Sequence, residues 1–145
     1  MQRNSKLGLI IVSVRYEWAD DDQIILYIYV ESPWTWAEYL DVSRTLKAVI
    51  DALDHPCATI VDATRYGSLP KDGNAIQILL RIDKLLSENI FASALVGAPY
   101  GVAVFVNMMM KLRPRLQGTT FFTQTLDEAH EIILARYQQI RSNNP

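Results

Sequence analysis

The chain has 145 residues, of which 50% are hydrophobic and 21% charged, and its formal net charge is -2. That length and composition fit one globular domain and are too apolar for a disordered chain, while the absence of a basic excess argues against nucleic-acid binding. No run of about 20 apolar residues is present to cross a bilayer, and the single cysteine, Cys57, can form no internal disulfide, so a reducing, cytoplasmic setting is expected.

Residues 1–6 are polar and read as a tail. Two apolar runs follow, residues 9–16 and 23–30, both rich in the β-branched and aromatic side chains that suit a pleated surface. Asp20-Asp21-Asp22 lies between them and favours a turn, because aspartate bonds nearby backbone amides. An antiparallel hairpin is therefore expected. The three carboxylates lack the spacing and closing glutamate of a calcium loop. The run at residues 7–14 resembles the apolar part of a signal peptide, but it leads straight into Arg15 and Glu17 with no small-residue cleavage site, so it is read as a strand.

A helix is expected next. Ser32-Pro33 offers a cap followed by proline, and Thr35-Trp36-Ala37-Glu38 offers a capping box, so two starts are open. Trp36, Leu40, Ser43, Leu46 or Lys47, and Ile50 share one face, and Pro56 ends the helix. Residues 57–62 read as a short buried strand, with Cys57 a buried, inert thiol. After a loop, Asn74 resembles a helix cap, and Ile76, Leu79, Leu80, Asp83 and Leu86 or Ser87 continue a helical period. Residues 91–96 are another buried strand, broken by Gly97-Ala98-Pro99. Residues 100–112 alternate at Val102, Val104 and Val106 like a strand, but Met108-Met109-Met110 and the length favour a helix ended by Pro114. A strand at residues 119–122 and a helix opened by Thr125-Leu126-Asp127-Glu128 complete the chain, and residues 142–145 are expected to fray.

The order β-β-α-β-α-β-α-β-α predicts one α/β domain over residues 7–141. Its sheet should be mixed and mostly parallel, with right-handed crossovers.

The chain contains neither GxGxxG nor GxxxxGK[ST], and no GxSxG elbow. His55 and His130 are far apart and read as boundary or surface residues, so no catalytic residue, metal or cofactor is expected. Two regions are candidates for recognition. The loop over residues 62–74 lies at the carboxyl end of a parallel strand and enters a helix amino terminus, a place that favours ligands and anions. Asp62, Thr64, Ser68, Lys71, Asp72 and Asn74 supply its polar groups, with the alternative that Asp72 or Asn74 only caps the helix. The third helix is apolar on more than one face, and Val102, Phe105, Val106, Met109 and Met110 suit either a protein interface, including a homodimer, or an apolar ligand.

The element order, the strand Ala58-Thr59-Ile60-Val61-Asp62 ending in aspartate, and the late segment Gly118-Thr119-Thr120-Phe121-Phe122 with Leu126-Asp127-Glu128-Ala129 resemble the STAS superfamily of anti-sigma-factor antagonists. The resemblance covers residues 12–134. It implies a sheet of four to five strands with about four helices packed mainly on one face, and a non-catalytic regulatory module that binds a partner protein, often a kinase-like anti-sigma factor. In that family a serine within an Asp-Ser-Ser-Gly-like motif is phosphorylated near the second helix. The corresponding stretch here is Leu69-Pro70-Lys71-Asp72-Gly73-Asn74, with an acidic or amide residue in place of the serine and a longer loop; Ser68 and Thr64 lie nearby, and neither matches the motif position. Related Sec14-like domains share aspects of this topology and bind lipids, which keeps a small apolar ligand or lipid open as the alternative.

Overall fold

The expected sheet is present. The computed structural model describes residues 13–143 and has five strands, β1 (Val14–Trp18), β2 (Ile25–Val30), β3 (Cys57–Asp62), β4 (Ile90–Val96) and β5 (Thr120–Thr123). The helices are α1 (Trp36–Asp51), α2 (Ala75–Leu85), α3 (Tyr100–Leu112) and α4 (Leu126–Asn143), with a short 3-10 turn at Pro114–Leu116. The first strand expected from sequence overlaps β1 only in part, since its residues 9–12 lie outside the described residues. Helix α4 runs to Asn143, into the stretch read as a tail.

Strands β1 and β2 pair antiparallel, from Val14 opposite Val30 to Trp18 opposite Leu26. All other neighbours are parallel, and the strand order is β1-β2-β3-β4-β5. This sequential order has a consequence. Each parallel crossover takes one step in the same direction, and right-handed crossovers then put every intervening helix on the same face. Helices α1, α2 and α3 accordingly share a core with Leu26, Ile28, Val61 and Leu95 on one side of the sheet, while α4 packs on the other. It also means the strand order never reverses, so the sheet has no switch-point crevice of the kind that made residues 62–74 a candidate.

The two faces differ in relief. Beneath α4 lie Ala58, Ala92 and Ala94, each with 0% exposure, and these small side chains admit Ala129 and Ile133 close to the strands. The opposite face presents Ile28, Val61, Ile90 and Leu95, and there the helix layer carries Trp36, Phe105 and other bulky groups. The short side chains of Thr59 and Ser93 lie among these on the same face and leave space between sheet and helix layer.

The two candidate starts of α1 are resolved by geometry. Thr35 is the N-cap; its hydroxyl accepts from Glu38 N at 3.1 Å, and the Glu38 carboxylate accepts from Thr35 N at 3.0 Å. The inward face of α1 is Trp36, Leu40, Leu46 and Ile50, as its period predicts. Helix α2 departs from expectation. Ile78, Leu79 and Ile82 are buried, whereas Ile76 and Leu80 are exposed. Gln77, Arg81 and Lys84 share the side opposite Ile78, Leu79 and Ile82 and mark it as outward, and Ile76 and Leu80 lie on the flank of the apolar arc, where the expected period was drawn.

Candidate functional site: an apolar cavity beneath the helix layer

Side chains alternate along each strand, so one hydroxyl per apolar strand can face the helix layer without breaking the run. Thr59 of β3 and Ser93 of β4 do this. They are register neighbours, their hydroxyl oxygens are 2.8 Å apart, and Thr120 of β5 stands opposite Ser93 as the next residue in the row. All three line a cavity of about 320 Å³ between the sheet and helices α1 to α3.

The cavity runs along the helix layer. At the end formed by the amino termini of α1 and α3 its wall is aromatic. Trp34 and Trp36 meet edge to face at 5.0 Å, Trp36 lies 5.1 Å from Phe105, and Trp34 lies 5.2 Å from Tyr66. Such pairs are favourable beyond the area they bury. Each indole N–H has a carbonyl partner: Trp34 Nε1 donates to Tyr66 O at 2.7 Å and Trp36 Nε1 to Pro70 O at 3.1 Å. Burial pushes the phenols of Tyr39 and Tyr66 above their ordinary value, so both are neutral donors at physiological pH. Further along, Leu46, Ile82, Leu95, Val106 and Met109 make an aliphatic wall. At the far end the lining includes Lys47, Glu88 and Arg115; Glu88 and Arg115 are exposed, so the cavity meets solvent near the amino ends of β4 and β5. Lys47 pairs with Asp51 at 2.6 Å, and Arg115 lies 3.5 Å from Asp83.

The structure assigns the two sequence candidates different places. All five residues singled out on α3 line the cavity: Val102 and Phe105 are buried, and Val106, Met109 and Met110 are half-buried. The side of α3 that faces solvent is a different one, Tyr100, Val104, Met108 and Leu112. The loop at residues 62–74 forms no common site. Asp62 Oδ1 accepts from Thr64 N at 3.0 Å and from the Thr64 hydroxyl at 2.6 Å. Asn74 caps α2, accepting from Ile76 N and Gln77 N at 3.1 Å. Asp72 caps a different helix: its carboxylate accepts from Trp36 N at 2.9 Å and Ala37 N at 3.3 Å, at the start of α1. Those backbone bonds hold its pKa below the ordinary aspartate value. Ser68 and Lys71 are exposed. The acidic and amide groups are thus engaged with backbone amides, and the loop clamps the aromatic end of the cavity to α1.

Sequence reasoning missed the hydroxyl row and the aromatic wall. The available signal was a lone hydroxyl in each of two apolar strand runs, Thr59 and Ser93, but their pairing depends on register. It also missed that Asp83 receives Arg113 at 3.0 Å, which ties α2 to the segment after α3. His130 of α4 is hydrogen-bonded to the Tyr27 hydroxyl rather than free at the surface. Among the described residues no three His, Cys, Asp or Glu side chains gather as a metal site, and no helix is long and apolar enough to cross a membrane. Comparison with protein-family models, curated proteins and solved structures found no match to this chain.

Proposed function

We propose that this chain is a binding domain that encloses a small apolar molecule between its sheet and its three-helix layer and leaves it chemically unchanged. The observation that carries this reading is the cavity itself: about 320 Å³, walled by tryptophan, phenylalanine and aliphatic side chains, with few polar groups. Small-molecule sites have this character, mostly apolar with a few placed polar groups. Native mass spectrometry after gentle purification should find apolar material bound. A protein that is repeatedly empty, and whose Trp34 and Trp36 fluorescence does not respond to added medium-chain apolar compounds, removes the reading.

A second reading is a regulatory module that binds a partner protein, of the kind the STAS-like element order implies, or a second copy of itself. It is favoured by the outer row on α3, where Tyr100, Val104, Met108 and Leu112 are exposed at four-residue steps. Light scattering at high protein concentration tests the homodimer. Val104→Lys with Met108→Lys should abolish self-association or capture of a defined regulatory partner; unchanged capture sinks the second reading and leaves the cavity reading untouched.

A further inference from the structure

The hydroxyl pair on the cavity floor points to the chemistry of what the cavity takes. Thr59 is 4% exposed, on the central strand, and its hydroxyl sits 2.8 Å from that of Ser93. In such a pair one hydroxyl donates to the other, and the acceptor keeps a proton of its own. Among the described residues neither hydroxyl makes a further hydrogen bond. Thr59 is buried and Ser93 half-buried, so an O–H of the pair is available to whatever enters the cavity. The cavity is open to an occupant, and the group that satisfies this donor is an acceptor.

The charge of that acceptor follows from what surrounds it. The floor around the pair is Ile28, Val61, Ile90 and Leu95, with Thr120 beside Ser93. The cations in the described lining, Lys47 and Arg115, each already face a carboxylate, Asp51 and Asp83. An ionised carboxylate seated on the hydroxyl pair would give up water and find no unpaired cation, which disfavours it. An uncharged carbonyl meets one donor and needs no counterion.

Resting on the reading of the cavity as an apolar binding site, we propose that its ligand is a neutral apolar molecule carrying one carbonyl acceptor, such as an ester or ketone. The carbonyl oxygen accepts from the Thr59–Ser93 hydroxyl pair, and the hydrocarbon lies against the aromatic and aliphatic walls. A charged fatty acid or a plain hydrocarbon is a poorer ligand.

The test uses the whole chain, stripped of bound lipid, and three probes of similar size: methyl decanoate, undecane and decanoate. Affinities are read by titration calorimetry and tryptophan fluorescence. The ratio of methyl decanoate to undecane affinity should be about tenfold higher in the wild type than in a variant without the hydroxyl pair, the effect of one satisfied hydrogen bond, and the wild type should bind methyl decanoate more tightly than decanoate. The double variant Thr59→Val, Ser93→Ala removes both partners together, so it leaves no orphaned hydroxyl and should fold. Its affinity for methyl decanoate should fall about tenfold, while its affinity for undecane stays that of the wild type, which also shows that the cavity is intact. An ester-to-hydrocarbon affinity ratio unchanged in the double variant, or tightest binding of decanoate by the wild type, each overturns the carbonyl assignment and leaves the cavity reading standing. No binding of any probe, undecane included, overturns both.

Discussion

Cys57 opens β3 with 0% of its surface exposed, and burial pushes its thiol up to about 12. The thiolate is the reactive form, so this cysteine should resist iodoacetamide at pH 8 in the native protein and react fully once the chain is unfolded; native labelling at the unfolded rate contradicts its burial. Linkage gives a second consequence. The folded value lies above the unfolded one of about 8.5, so the stabilisation is complete below that pH and is lost as pH rises toward the folded value. Denaturant titrations should show wild type losing stability relative to Cys57→Ala above about pH 8.5. Asp72 runs the opposite way. Its folded pKa is depressed, so its contribution is complete above the unfolded value of about 3.9 and disappears as pH falls through the folded value. Asp72→Ala should melt at a lower temperature than wild type at pH 7, and the gap should close in acid. A gap that is constant with pH means the carboxylate charge has no part in capping α1.

At the scale of elements, α2 and the turn after β4 are the sharpest cases. Leu79 is 3% exposed and Leu80 is 42% exposed, although both belong to the period seen in the sequence. Leu79→Ala should cost about 2–5 kcal/mol, in line with buried large-to-small changes, and Leu80→Ala should stay within about 0.5 kcal/mol. Denaturant midpoints of the pair decide which face of α2 is inward. Gly97 has a φ of +65°, and a Cβ built there would sit 2.5 Å from Thr64 Cγ2. Gly97→Ala therefore carries both backbone strain and a clash, and should destabilise by more than about 1 kcal/mol. Adding Thr64→Ser, which removes that methyl, should recover part of the loss and not all of it, because the backbone conformation stays the same. Full recovery would assign the whole cost to the clash.

The whole molecule is an unequal sandwich. Helix α4 lies on alanines and packs closely, while α1 to α3 enclose a cavity against bulky residues. Local opening is expected where buried apolar contact is sparse. Backbone amides of α3 should exchange with solvent faster than those of β3, and an apolar ligand at about 100 times its Kd should stabilise the fold by about 2.7 kcal/mol and protect α3 more than α4. Equal protection of the two helices, with or without ligand, contradicts a site on the α3 side.

The element order, the capping box at Thr35, the cap at Asn74 and the choice of helix for residues 100–112 were legible in the sequence, because each rests on local chemistry: a cap three residues from its donor, a proline, a run of one period. The parallel sheet followed from alternation of strand and helix. Other features needed the folded chain. How much of the apolar arc of α2 is covered depends on which neighbours reach it, and Ile76 and Leu80 on its flank stay exposed while Ile78, Leu79 and Ile82 are buried. Asp72 caps α1 across 36 residues of sequence. Thr59 meets Ser93 only because β3 and β4 pair in that register. The sequence by itself determined what each segment becomes; tertiary structure alone decided where the cavity lies and what faces it, since a cavity is the space left between segments and no segment carries it alone.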